Sequence, residues 1–260
     1  MKQIVLGVTS VDDELFVLLR RKARFYQANK PIAVYSISDY QLGLLRHLKM
    51  PGYTPGDRCD MTSCVRHKCL YMSDYDHSCI HRYDLVNSAT SKWSLPYTTI
   101  HGLSVTPSCN LLVTCHSDLI EFSADGQRMR KIALQSDNVG LEHSLQLTND
   151  KYIVCHNMYR GLHRVCLVGD DGKVARSYGG QRGRDVGQLH CPTHLAVDKD
   201  SQFIFVADDG NHRVVLLSPT LEFVRFIIEG LPDPRRLYFH QATRRLFVGQ
   251  LYSDVNVIQL

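Results

Sequence analysis

The stretch Cys191–Phe226 reads CPTHLAVDKDSQFIFVADDGNHRVVLLSPTLEFVRF. An alternating apolar run follows Pro192 and ends in Asp198, and a polar turn separates it from Ile204-Phe205-Val206. Ala207-Asp208 closes that second run, Gly210-Asn211-His212-Arg213 makes a tight turn, and two further apolar runs follow. Short runs rich in β-branched and aromatic residues, bounded by Asp, Asn, Gly and Pro, are strands joined by turns. Four of them make one antiparallel sheet, and such a sheet cannot bury both faces by itself. It needs further sheets to pack against, so the pattern must recur.

It does. Aligning each second strand on its third apolar residue gives six anchors: Val17, Met72, Val113, Val154, Val206 and Val248. They lie 55, 41, 41, 52 and 42 residues apart, near the period of about 40–45 residues of four-stranded propeller blades. Inner strands are expected at Leu6–Val11, Met61–Val65, Leu103–Thr106, Leu145–Thr148, Leu195–Asp198 and Leu237–His240. The sequence therefore predicts an all-β chain with almost no helix, a six-bladed β-propeller of four-stranded antiparallel blades. One domain spans 1–260, with blades near 6–50, 58–97, 100–136, 141–180, 190–230 and 233–260. The sixth blade shows no fourth strand after Val255–Leu260, so closure by residues 1–5 pairing beside it is expected. The two long intervals mark insertions at Arg20–Lys30 and Gly179–Gly187.

The LAVD, FVAD and NHRV elements within Pro192–Val214 resemble an NHL repeat, with echoes such as Tyr71–Asp74 elsewhere. That resemblance implies an NHL-type propeller like the C-terminal substrate- or RNA-binding part of tripartite-motif ubiquitin ligases. It also implies that Asp208, Asn211, His212 and Arg213 build the turn. The RING, B-box and coiled-coil modules of that family have no counterpart in this sequence. The one tryptophan, Trp93, stands in Lys92-Trp93-Ser94, so the Trp-Asp signature of another propeller class is missing.

Hydrophobic content of 44% with 22% charged residues suits a globular domain. No apolar run is long enough to span a bilayer, and MKQIVLGVTS runs into Asp12-Asp13-Glu14 rather than a secretory core. A cytoplasmic, monomeric domain is the expectation, with no membrane and no DNA among its partners. Nine cysteines, an odd number, argue against a disulfide framework and read as small buried hydrophobes.

Two groups invite a metal reading. Cys59, Cys64, Cys69 and Cys79 share the second blade with His67, His77 and His81. Their spacing lacks the close pairs usual for zinc, so buried cysteines with surface histidines are expected, with Cys64/His67 the nearest approach to a pair. The alignment of inner strands also places Leu6, Cys59, His101, His143, Thr193 and Arg235 around one channel mouth. Cys59, His101 and His143 would give three ligands and an open position, the pattern of catalytic zinc. A lyase or hydrolase with channel zinc is therefore the alternative function. No G-x-S-x-G, Walker loop, H-E-x-x-H or dinucleotide fingerprint accompanies it, and neither enzyme activity nor a cofactor is the primary expectation.

The net charge of +4, from 30 Lys+Arg against 26 Asp+Glu, is too mild to imply nucleic acid by itself. Its placement says more. The loops expected on one face carry Arg20, Arg21, Lys22 and Arg24 with Phe25 and Tyr26, then Arg58, Tyr159, Arg160, Arg182, Arg184, Arg213, Arg235 and Arg236. Guanidinium groups among aromatic rings suit single-stranded RNA. Asp57, Asp74, Asp76, Asp185, Asp208, Asp209 and Asp233 fall on the same face, and this mixed field favours a protein partner over RNA. The primary expectation is a non-catalytic interaction module working through this face.

Overall fold

A computed structural model describes residues 3–21, 30–38, 42–95, 99–135, 140–157, 162–252 and 255–260, the side chain of Arg21 excepted. The first blade is Gln3–Val11 (β1), Glu14–Arg21 (β2), Ile32–Ser36 (β3) and Gly43–Leu48 (β4). The second is Met61–Cys64 (β5), Cys69–Asp74 (β6), Cys79–Asp84 (β7) and Thr90–Ser94 (β8). Ile100–Val105 (β9), Leu111–Cys115 (β10), Asp118–Phe122 (β11) and Arg128–Ala133 (β12) form the third. The fourth holds Leu141–Thr148 (β13), Lys151–His156 (β14), His163–Gly169 (β15) and Val174–Gly180 (β16). The fifth holds Pro192–Val197 (β17), Ile204–Asp208 (β18), Arg213–Leu217 (β19) and Phe223–Glu229 (β20). Pro234–His240 (β21), Arg245–Gln250 (β22) and Val255–Gln259 (β23) make the sixth. Each blade is an antiparallel meander in chain order, and all six predicted anchors lie on the second strands. Among the described residues the one helical turn is the 3-10 turn Asp209–Asn211.

The ring is visible in where the apolar side chains go. Six buried clusters form, one at each junction between neighbouring blades. Strand alternation explains it, since successive side chains leave opposite faces of a sheet. On β1, Ile4 and Leu6 enter the junction with the second blade, and Val5 and Val8 enter the junction with the sixth.

That arrangement corrects the expected closure. Residues 3–5 add no outer strand beside Val255–Gln259; they extend the innermost strand of the first blade, pairing with Leu19–Arg21. The sixth blade has three strands among the described residues. Ile4 and Val5 are buried on opposite faces, and an outer edge strand could not bury both. Side chains close the ring instead. Phe247 packs among Val5, Leu15 and Ile37, Ser10 and Tyr238 share a 2.6 Å hydroxyl bond, and Arg245 donates to Ile37 O at 2.8 Å.

Candidate functional site

The inner strands carry a repeated irregularity that builds the channel. Val8, Met61, Leu103, Ser144, Leu195 and Leu237 pair with the six anchors. One residue upstream, a ring of Gly7, Asp60, Gly102, His143, His194 and Arg236 follows. In five blades the next residue upstream is skipped by the pairing: Leu6, His101, Glu142, Thr193 and Arg235. Such a β-bulge opposes two residues to one and re-aims a side chain. Bulges near strand starts thus stack two layers of side chains around the axis.

The lower layer is a buried polar plug. Asp60 accepts hydrogen bonds from the Leu103 and Met61 amides at 2.8 and 2.9 Å. Arg236 donates to Leu6 O at 2.6 Å and Cys59 O at 3.0 Å, and its Nε lies 3.3 Å from the Asp60 carboxylate. Burial alone would raise Asp60; Arg236 and then His194 outweigh it and hold the carboxyl well below the usual range. The His143 and His194 rings stack 3.7 Å apart, and burial holds both neutral, pushing their pKa values down. The two glycines make the plug possible. A Cβ on Gly102 would lie 2.6 Å from Glu142 O and 2.9 Å from the His143 ring, and one on Gly7 would lie 2.5 Å from the Met61 Cβ.

The upper layer lines a pocket of about 390 Å³ at the channel mouth. His101 and Glu142 form its wall, 3.9 Å apart, with Thr193, Arg235 and Arg236 beside them. Burial, helped by His116 and Arg58, pushes His101 down to about 4. Burial likewise raises Glu142, opposed by the guanidinium groups of Arg236, Arg58 and Arg235. At the rim, Arg58 donates to the Tyr75 hydroxyl at 3.2 Å and lies over that ring, and Tyr75 meets His101 edge-on. A separate cavity of about 260 Å³ opens at the opposite end, below the plug.

The structure reorders the sequence-derived candidates. Cys59, His101 and His143 do not converge. Cys59 is turned into the apolar junction between the first two blades, His101 faces the mouth, and His143 belongs to the plug. Ser144, not Leu145, pairs with the fourth anchor Val154, so Glu142, not His143, stands level with His101. Arg213 leaves the binding face altogether. It is 1% exposed and donates to Asp208 at 2.7 Å, Arg184 O at 2.7 Å and Gln188 O at 3.1 Å. Asn211 joins Asp208 and Gly183 O, both at 2.8 Å, so this turn clamps the loop before the fifth blade. Arg236 is committed largely to the plug, and Arg20 pairs with Asp57. Arg58, Arg182 and Arg184 are exposed, and Arg235 is half-buried against Asp209 at 3.3 Å. Lys22, Arg24, Phe25, Tyr26, Tyr159 and Arg160, with the Arg21 side chain, lie outside the described residues. Thr193 and Arg235 stand at the mouth as the alignment expected, whereas Glu142 and Asp60 were absent from the expected site. Only a bulge-aware alignment of the inner strands could have signalled them.

No protein-family model and no curated protein sequence matches the chain. Solved structures do match in shape. A catalytically inactive virginiamycin B lyase from Staphylococcus aureus with quinupristin superposes with a TM-score of 0.66 at 11% identity, covering 99% of this chain and 85% of that one. A streptogramin B lyase gives 0.66 at 12% identity over 100% and 84%. Hydrazine synthase of Kuenenia stuttgartiensis gives 0.64 at 11% identity over 98% and 95%. At such identities the likeness is one of fold, and the class it defines is the six-bladed β-propeller. No helix among the described residues is long and apolar enough to cross a membrane.

Proposed function

We propose that this propeller is a recognition module without catalysis of its own, gripping an acidic segment of a protein partner at the channel mouth. The observation that carries the reading is Arg58, exposed at the rim of the pocket with its guanidinium over the Tyr75 ring. Its hydrogen bond to the Tyr75 hydroxyl holds it ready to receive a carboxylate or phosphate in fork geometry. Arg235 and Arg236 add to the positive field inside a low-dielectric concavity, where charge acts more strongly than on an open surface. The kinship proposed is with NHL-type propellers, and the role is that of a substrate-recognition part of a ubiquitin-ligase-type assembly. The test compares wild type with Arg58→Ala and Arg235→Ala in partner capture from lysate, alongside single-stranded RNA binding across a salt series. Loss of a specific protein partner in the variants, with RNA at background near about 50 mM salt where phosphate contacts are strong, is expected. RNA retention that falls with salt and with both substitutions would replace the protein partner by RNA.

A second reading is favoured by one specific observation. His101 and Glu142 face each other in a pocket, with opposite shifts that bring both toward neutrality, and paired groups with separated titrations suit acid–base work. The structural neighbours include lyases. A lyase or hydrolase would lose turnover in both His101→Ala and Glu142→Gln while keeping its melting temperature.

A further inference from the structure

The turn between β6 and β7 gathers metal-ligating side chains that neither the plug nor the mouth uses. Its sequence is Asp74-Tyr75-Asp76-His77-Ser78-Cys79-Ile80-His81. Asp74 ends one strand, Cys79 and His81 start the next on a common face, and the hairpin folds them together. The three are 5%, 5% and 6% exposed. His81 Nε2 lies 3.4 Å from Asp74 Oδ2 and 3.5 Å from Cys79 Sγ, and the ligand atoms of all three fall within 4.8 Å of one another. His81 is therefore buried, not the surface histidine that the sequence suggested.

The thiol and the imidazole converge on one carboxylate, all three nearly excluded from solvent, and a single cation can be held by all three atoms at once. Zinc binds nitrogen or oxygen at about 2.0–2.2 Å and sulfur at about 2.3 Å, so tetrahedral ligands stand about 3.4 Å (N to O) and 3.6 Å (S to N) apart. The observed separations match both. The other Asp74 oxygen, Oδ1, accepts from the His77 amide at 3.2 Å, which fixes the carboxylate. The His77 Nδ1 lies 3.0 and 2.9 Å from the two Asp74 oxygens and supports the carboxylate from the exposed side, as an outer-shell partner does.

We infer that Asp74, Cys79 and His81 form a zinc site in the second blade, with His77 orienting the Asp74 carboxylate. A thiolate, imidazole and carboxylate set selects zinc over calcium or magnesium, which prefer oxygen alone. The ion would pin the hairpin that presents Tyr75 to Arg58 and the channel mouth. The inference does not depend on what that mouth binds.

The test uses the whole chain stripped with a chelator and titrated with cobalt, then zinc. One equivalent of cobalt should produce thiolate-to-metal charge transfer, bleached by zinc. Cys79→Ser and His81→Ala should weaken zinc by at least the roughly 100-fold that even loss of a supporting group can cost. His77→Ala, at an exposed position, should weaken it by roughly 10-fold. Cys64→Ser and His143→Ala should leave it unchanged. X-ray absorption on zinc-loaded wild type needs no variant, and should show one sulfur at about 2.3 Å with nitrogen and oxygen neighbours. Absence of stoichiometric binding, a shell without sulfur, or a charge-transfer band that survives Cys79→Ser would each overturn the site. Loss of metal in His143→Ala alone would move it to the channel and also reject the inference.

Discussion

Arg213 and Arg58 look alike in the sequence, each an arginine in a polar turn, yet their surroundings are opposite. Arg213 is buried with its guanidinium bonded to Asp208 and two carbonyls and lying 4.3 Å from the centre of the Phe226 ring. Removing one partner of a buried ion pair leaves the other charge uncompensated and costs about 3–5 kcal/mol. Arg213→Ala is therefore expected to lower the denaturant midpoint by that order. Arg58→Ala, at the surface, should stay within about 0.5 kcal/mol. Equal effects in equilibrium unfolding would contradict the assignment of one to structure and the other to recognition. The turn chemistry of Asp208, Asn211 and Arg213 was legible from residue type. The direction of the Arg213 side chain was not, because it depends on Arg184 and Gln188 from the preceding loop.

At the scale of the strand, the apolar anchors were plain because alternation repeats faithfully on second strands, whose apolar side chains pack in the junctions. Apart from β5, which begins at Met61 as expected, the inner strands start several residues earlier than the apolar pattern implied: β13 begins at Leu141 rather than Leu145, and β21 at Pro234 rather than Leu237. Their opening residues face a polar channel, so alternation in hydrophobicity fades while the backbone continues as strand. In the fourth blade the residue opposite the anchor is the polar Ser144 rather than Leu145, which is how His143 was placed level with His101. Gly102 tests the packing of these strands. A methyl there would press on Glu142 O and the His143 ring, and overpacking of this kind costs about 1–3 kcal/mol. Gly102→Ala should destabilise by that amount and disturb His143, visible as a shift of its imidazole resonances. Unchanged resonances with unchanged stability would show that the ring does not rest on the glycine.

For the whole molecule, the axis is lined by imidazoles kept neutral by burial, and this sets its response to acid. His101, His143 and His194 all titrate below the ordinary histidine value of about 6.5, with His101 near 4. His81, His163 and His240 shift in the same direction, again chiefly through burial. Between the ordinary and the folded values the unfolded chain binds more protons, so stability rises with pH. The contribution is complete above about pH 6.5 and is lost as pH falls through the folded values. Asp60, also depressed, keeps its contribution until pH drops below the usual carboxylate range. Denaturation series at several pH values should show a decline from about pH 6.5 toward 4. His101→Gln should remove on the order of 3 kcal/mol of that decline; an unaltered slope would mean that His101 is not held neutral. Six blades were legible because six anchors suffice to count them. Closure was not, since the ring is joined by side chains from distant blades rather than by a strand with its own pattern. The plug of Asp60, His143, His194 and Arg236 has a further consequence. It turns the axial passage into two blind cups set back to back, so nothing entering at Arg58 can leave beside the far ends of the inner strands. Two visitors, one in each cup, would never compete for the same space, and the propeller can serve as a rigid spacer holding them on a common axis.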